Sequence, residues 1–311
     1  MTDSPVELRG CTSRRELEEV VDLCDAAFPK TEKEYFERHV LKDKTLETSD
    51  TRVLVRDRKI LSSVQVFRRT MYVKGKKLTF GGIGNVATLP AQRGKGYAGM
   101  VLQNALNYIK GKKLRMALLS TTINGYYEKF GFTTIKRHLV SIDLPEMQKH
   151  PEVRAFDQRR DLNAVMSLYK KYNDKGTGPV VRDSKYWHSQ LDFCGEDKDL
   201  FFVYEGGGEI LGFIRAKRKT DRVHVLEYAF AGHRRKIIRR MFEHLAFAAN
   251  FPRLEFFTSD REKGYLPFKD PGCFRDDTDM MINPLDAGMD RKVKEALLGD
   301  YQLAFWMTDF F

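Results

Sequence analysis

The chain has 311 residues, 42% of them hydrophobic, and a formal net charge of +11. That length suits two globular domains of ordinary composition. The apolar runs are too short for a membrane span and the first residues lack a signal-peptide pattern. The four cysteines (Cys11, Cys24, Cys194, Cys273) are scattered, so a cytoplasmic protein without membrane segment, structural zinc or disulfide framework is expected.

In chain order, residues 6–9 read as a short strand. Ser13-Arg14-Arg15-Glu16 reads as a capping box, with Leu17, Val20, Val21, Cys24 and Phe28 on one helical face behind it. A second helix starts near Thr31. Residues 52–56 and 60–73 form a hairpin about Asp57-Arg58, and Lys74-Gly75-Lys76-Lys77 turns the chain into a strand over 78–88. The segment Leu89-Pro90-Ala91-Gln92-Arg93-Gly94-Lys95-Gly96-Tyr97-Ala98 then leads into a helix over 96–109. Two glycines bring bare backbone to a helix N-terminus, where unpaired N–H groups and partial positive charge hold phosphate. Arg93 and Lys95 add full charges. A strand over 114–120, a short helix over 121–130 and a closing strand over 132–144 follow.

Two familiar nucleotide motifs do not fit. Gly96 is followed by Tyr97 and Ala98 rather than the Lys-Ser/Thr of a P-loop. Gly94-x-Gly96-x-x-Gly99 matches the dinucleotide fingerprint formally, but no acid stands about twenty residues on to hold a ribose. Arg93-x-x-Gly96-x-Ala98, together with Gly125-Tyr126-Tyr127-Glu128-Lys129-Phe130-Gly131-Phe132, resembles the GNAT superfamily of acyl-CoA N-acyltransferases over about residues 5–145. The resemblance implies that the strand ending in Val86, Ala87 and Thr88 pairs with the pantetheine arm of acetyl-CoA. It implies that the amides of Arg93, Gly94, Lys95, Gly96, Tyr97 and Ala98 cradle the pyrophosphate, and that Tyr127 serves the departing thiolate as acid.

Past a boundary at 145–151 the order restarts: a strand near 153–156, a helix capped by Asp157 with Leu162, Val165, Met166 and Tyr169 on one face, and a helix from Ser184 carrying Trp187. A hairpin about Gly206-Gly207-Gly208, a strand over 223–228, a helix over 234–250 and a strand over 254–258 complete it. The phosphate-loop position here reads Ala231-Gly232-His233-Arg234-Arg235-Lys236, without paired glycines. The expectation is an α/β protein with mixed sheets, built of two tandem GNAT-like domains: a catalytic one over 1–147, and a degenerate one over 148–311 that shapes the cleft or a homo-oligomer interface.

Acyl transfer to an amine needs a base, an oxyanion donor and help for the thiolate. The expected donor is an amide near Val86 or Ala87. No carboxylate stands on 79–88, where Asn85 holds a polar place, so the base is open. Asp25, Glu34 and His39 lie in the helices flanking the cleft and read as surface residues. Resemblance to Eis-like acetyltransferases implies another source, the carboxylate of Phe311 at the end of an aromatic tail. The seven histidines form no metal-binding pair and no metal is expected. The excess of positive charge lies almost wholly in residues 1–150, which suits an anionic substrate; its clusters are short and sit at turns, so nucleic acid is not the expected partner. The sequence thus points to an N-acetyltransferase using acetyl-CoA and an amine that it does not identify. A CoA-binding scaffold and a tRNA-dependent aminoacyl transferase are the other classes compatible with paired halves.

Overall fold

Helix α1 (Arg14–Ala27) follows strand β1 (Glu7–Gly10) and begins where extended Ser13 accepts the N–H of Glu16 on its hydroxyl. The reciprocal half of the box is shifted: Glu16 accepts the N–H of Thr12, at 2.7 Å, and holds the guanidinium of Arg9 with both oxygens. The computed structural model describes residues 4–193, 200–233, 235–266 and 273–310. Helix α2 (Lys33–Glu37) runs directly into a wider, π-helical turn at Arg38–Lys42.

Strands β2 (Thr51–Arg56), β3 (Lys59–Val73) and β4 (Lys76–Thr88) form an antiparallel meander. Asp57 and Arg58 both take positive φ (50° and 60°), the backbone that a two-residue hairpin with right-handed twist requires. Helix α3 (Tyr97–Gly111) packs on one face of the sheet, against Val64, Val66 and Ile83. Helix α1 packs on the other, against Val53, Val55 and Ala87. Strand β5 (Met116–Ser120) lies parallel to β4, and the short helix α4 (Asn124–Glu128) follows it.

The closing strand expected over 132–144 is two strands in two sheets. β6 (Thr133–Thr134) stays with the first; β7 (Arg137–Asp143) belongs to the second. The cause is Arg137. Its buried guanidinium donates from Nε and Nη2 to Asp277 at 2.9 and 2.7 Å and lies over the ring of Phe257, which commits β7 to the later strands.

The C-terminal half continues with β8 (Val153–Ala155), α5 (Gln158–Asn173), β9 (Thr177–Val180), α6 (Ser184–Phe193), β10 (Phe201–Gly206), β11 (Glu209–Arg218), β12 (Val223–Phe230), α7 (Arg235–Ala249) and β13 (Arg253–Thr258). Then come α8 (Asp260–Lys263), β14 (Phe274–Asp277), β15 (Met280–Pro284) and α9 (Arg291–Leu298). The second sheet runs β14-β7-β13-β12-β11-β10-β8, and the first runs β1-β2-β3-β4-β5-β15-β6 with β9 on the edge of β3. Strand β15, about 160 residues after β5, pairs with it from Met280–Ser120 to Pro284–Met116. Each half therefore lends the other a strand, across the division expected at 147/148.

The aromatic tail is docked without forming a strand. Phe305 packs edge-on to Phe80, and Trp306 packs on Tyr228 and donates its indole N–H to Asn173 at 3.1 Å. Asp309 is fully buried on Arg182, which also bonds Glu227.

Candidate functional site

Strands β4 and β5 are paired only from Phe80–Met116 to Gly82–Leu118. Beyond Gly82, β4 runs on to Thr88 while β5 ends at Ser120. Among the described residues no strand pairs with 83–88 on that side. Backbone N–H and C=O groups along such an edge need partners, and an extended amide-bearing chain supplies them.

A bulge sits within this free stretch. Ser63 pairs with Ala87 and Gln65 with Gly84, so Asn85 and Val86 together stand opposite Val64. Asn85 takes φ 49°, a region that asparagine tolerates better than most residues. Its Nδ2 donates to Oε1 of Gln65 at 2.6 Å, and Nε2 of Gln65 donates to the main-chain carbonyl of His39 at 2.7 Å. The bulge is thus clamped to the π-helical turn. It leaves Val86 out of the regular ladder, the place for an amide aimed away from β3. Ala87 and Thr88 continue the strand, fixed by the Ser62 hydroxyl, which donates to the carbonyl of Ala87 at 2.7 Å and lies 2.8 Å from Oγ1 of Thr88.

The chain then passes a 3₁₀ turn (Pro90–Gln92) into the loop. Gly94 (φ 80°) and Gly96 (φ 77°) both adopt left-handed backbone, and a Cβ built on either would meet nothing within 4 Å. Glycine is therefore required by conformation, and the space over the loop is open. Gly96 is the N-cap of the fifteen-residue α3 and offers no side-chain cap, so the first N–H groups of α3, from Tyr97 and Ala98 onward, have no side-chain acceptor at the cap. The loop charges are not arranged as their sequence suggests. Arg93 turns away to donate to the carbonyl of Ala27 at the end of α1, at 2.9 Å, and Lys95 is drawn to Oε1 of Gln92, also at 2.9 Å. Tyr97 is buried, its hydroxyl accepting from Arg56. Backbone dipoles, more than side-chain charges, define this anion cradle.

Tyr127 sits on α4 in the same apolar cluster as Ile83 and Tyr97, with Val86 against its border. It makes edge contacts with Tyr126 and Phe132 at 5.0 and 6.1 Å between ring centres. Its hydroxyl has no hydrogen-bond partner among the described residues, and burial pushes its pKa up to about 12. Helix α4 is held from the C-terminal half: Asn124 donates to the carbonyl of Thr278 at 2.8 Å, and Asn283 of β15 donates to the carbonyl of Phe130 at 2.7 Å. Gly131 follows at φ 85°, with Asn283 3.2 Å from where a Cβ would be.

The structure therefore brings Val86, Tyr97 and Tyr127 to one apolar cluster, with Ala87 and Thr88 continuing β4 and the 93–98 loop leading from it into α3. Phe311 lies outside the described residues. Asp25 and Glu34 are exposed, as expected, whereas His39 is buried (8% exposed). Its Nδ1 lies 2.7 Å from the carbonyl of Tyr35, and its ring lies against Tyr35 and edge-on to Phe67. Gln65, Asn283 and the buried Arg182 carry no motif and were not singled out by sequence. The positive-φ Asn85 at the bulge is the one with a readable trace, an asparagine directly after glycine inside a strand.

A family profile described as an acetyltransferase (GNAT) domain matches residues 9–135. No curated protein matches. Among solved structures, a conserved protein of Enterococcus faecalis described as a probable N-acyltransferase is similar, with a TM-score of 0.69 at 15% identity, covering 91% of this chain and 73% of that one. Eis1 of Mycobacterium abscessus follows the same path with a TM-score of 0.61 at 15% identity, covering 91% and 74%. The N-myristoyltransferase of Saccharomyces cerevisiae, solved with myristoyl-CoA, gives a TM-score of 0.63 at 14% identity, covering 98% and 85%.

Proposed function

We propose that this chain, an acyltransferase whose residues 9–135 match the profile of a GNAT acetyltransferase domain, transfers the acetyl group of acetyl-CoA directly to an amine. The observation that carries the reading is the succession of two backbone surfaces: the 83–88 edge of β4, which no strand pairs on that side among the described residues, and the N-terminus of α3 at Gly96, which has no side-chain cap. One fits the amides of a pantetheine arm and the other fits a pyrophosphate. In this reading the pyrophosphate rests on the amides of Arg93 to Ala98, pantetheine runs along Val86 to Thr88, and the Val86 amide receives the developing oxyanion.

Tyr127 then faces the sulfur. A phenol held at about 12 stays protonated but does not hand its proton outright to a thiolate whose acid is near 8.5, the range of a free thiol. Its role is donation of a hydrogen bond to the leaving sulfur. The carboxylate of Phe311 remains a proposed base, and a tag extending the chain past Phe311 tests it by its effect on turnover.

Calorimetry tests the reading. Gly96→Glu should abolish acetyl-CoA binding, because its side chain enters the open space over the loop with a charge opposed to pyrophosphate. Gly75→Glu is the control: Gly75 also has positive φ (83°) and open surroundings, but lies in the β3–β4 turn. Retained affinity in Gly96→Glu, or equal loss in both variants, refutes the site.

A further inference from the structure

We propose that Gln65 is a positioning residue of this reaction: through Asn85 it fixes the β4 bulge, and with it the main-chain amide of Val86. The inference rests on the acetyl-transfer reading above, which gives that amide the oxyanion, and it adds the side chain that holds the amide in place. The need for a holder is written in β4 itself. Glycine fills three of the four positions 81–84. A glycine-rich strand has little side chain to pack and loses more chain entropy on ordering, so it specifies its own register weakly. The bulge follows at once, with Asn85 at φ 49°. Asparagine tolerates left-handed backbone but does not demand it. Residues 81–85 therefore do not decide by themselves where the extra residue stands, and the decision must come from across the ladder.

Strand β3 supplies it. Val64 and Val66 pack with α3, so Gln65 between them points to the other face of the sheet, where it is fully buried. The polarity of its contacts is set by the main chain. The carbonyl of His39 only accepts, so Nε2 of Gln65 faces it, at 2.7 Å, and Oε1 is left to accept from Nδ2 of Asn85, at 2.6 Å. That carbonyl lies in the last turn of a helix ending at Lys42, where carbonyls run out of helical donors. Gln65 thus joins two irregular backbones, the π-helical turn and the bulge, and each gives it one partner. Three residues earlier on β3, the buried Ser62 holds the next part of β4, by the carbonyl of Ala87 at 2.7 Å and Oγ1 of Thr88 at 2.8 Å. One side chain fastens residue 85 and the other fastens residues 87 and 88. Val86 is the residue between the two fastenings.

The chemistry makes this bracket matter. As the amine adds to the acyl carbon, the C=O π pair moves onto oxygen, and it returns when the C–S bond breaks. A donor lowers that barrier only if it is already in place when the charge develops. A bulge displaced by one residue would return Val86 to the ladder and re-aim its N–H. Gln65 acts through Asn85 and the backbone, so its loss should be felt in the chemical step rather than in the hold on CoA.

The test uses the full chain, acetyl-CoA with a ¹³C-labelled thioester carbonyl, and the fastest acceptor among spermidine, tryptamine and an Nα-blocked lysine amide. Infrared difference spectra of bound acetyl-CoA without acceptor read the polarisation of its C=O. In wild type the band should lie at lower wavenumber than in free acetyl-CoA. Gln65→Met should lower kcat about 10²-fold, with the acetyl-CoA Kd within about threefold of wild type, and its band should return toward the free position. Asn85→Gly should do the same, because glycine takes the positive φ freely but lacks Nδ2. Gln103→Met is the control: Gln103 is exposed on α3, bonds Asn107, and should leave both readings unchanged. Unchanged kcat in Gln65→Met, or a lowered kcat with the band unmoved, overturns the proposal. If Gln65→Met does not fold, Asn85→Gly decides on the same two readings. Wild type that binds acetyl-CoA with an unshifted band overturns the proposal but not the binding site. Wild type failing to bind acetyl-CoA in calorimetry overturns the acetyl-transfer reading itself, and with it this one.

Discussion

Replacing Arg182 by methionine should destabilise the protein by an amount set largely by one residue, Asp309. Arg182 is fully buried. It donates from Nε and Nη2 to Asp309 at 2.9 Å each, and from Nη2 to Glu227 and Thr308 at 2.6 Å each. Glu227 has a second cation, Arg215, at 2.7 Å, whereas Asp309 has none besides Arg182 among the described residues. Burial already pushes the Asp309 pKa upward, with Arg182 opposing; for Glu227 the two arginines outweigh burial and lower it. Without Arg182 the buried carboxylate of Asp309 takes a proton. The cost has a ceiling: protonating an aspartate of unfolded pKa near 3.9 at pH 7.5 costs about 5 kcal/mol, at 1.36 kcal/mol per unit. Removing one partner of a buried pair typically costs about 3–5 kcal/mol, which agrees.

The sign is fixed by linkage. The folded pKa of Asp309 in Arg182→Met lies above its unfolded value, so stability is present at low pH and lost as pH rises. The penalty should be about 2.7 kcal/mol smaller at pH 5.5 than at pH 7.5. Adding Asp309→Asn should recover much of it. Urea unfolding followed by tryptophan fluorescence is suited to this, because the chain has two tryptophans, Trp187 and Trp306. Trp187 lies under the Arg182 guanidinium, and Trp306 is three residues from Asp309. A penalty under about 1 kcal/mol, or one indifferent to both pH and Asp309→Asn, refutes the reasoning.

Three other outcomes are expected. Tyr127→Phe should lower kcat by about 10²-fold with little change in acetyl-CoA affinity; because its hydroxyl has no partner among the described residues, stability should stay within about 0.5 kcal/mol, and an unchanged kcat removes Tyr127 from the chemistry. Glu262 is buried beside Tyr172 and Tyr228, and burial raises its pKa from 4.5 to about 7. Its contribution is present below pH 4.5 and lost as pH rises to 7, about 3 kcal/mol in all, so Glu262→Gln should flatten that decline in denaturation curves, and an unaltered slope contradicts the assignment. Titration should saturate at one acetyl-CoA per chain, since β12 and β13 also part after His224 but Tyr228 is packed there by Phe242, Phe256 and Trp306; two equivalents would mean that the second half also binds.

The loop was legible in sequence because its backbone needs glycine at 94 and 96, and that need is local. The hairpin at Asp57-Arg58 and the Ser13 cap were legible for the same reason. What was not legible is non-local. Strand β15 pairs with a segment some 160 residues earlier, and nothing in Met280-Met281-Ile282 tells a central strand of the first sheet from an edge of the second. Arg137 and Arg182 look like surface cations in sequence, and only the position of Asp277 and Asp309 makes their burial tolerable. His39 reads as an exposed helical residue until the turn widens at Arg38 and swings it under Tyr35.

These non-local features bear on why the chain keeps a second half without a phosphate loop. The expected role for it was shaping the cleft or a homo-oligomer interface, and its contacts reach the elements of the first half that carry the candidate site. Tyr127 is positioned by a helix whose two ends are tied to the carbonyl of Thr278 and to Asn283. The free edge of β4 begins where its pairing with β5 stops at Gly82, and β5 is held along its other side, from Met116 to Ser120, by β15. The tail that packs on Phe80 is fixed by Arg182, between β9 and α6, and by Glu227 of β12, both from the second half. An acyl-transfer cleft needs walls set to within fractions of an ångström, and a six-residue strand edge, a five-residue helix and an irregular tail cannot hold themselves so. The rigid elements that hold them come from the half that lacks the loop. In the proposed reading the phosphate cradle is the work of one half, while the contacts that hold Tyr127 and β5 come from both.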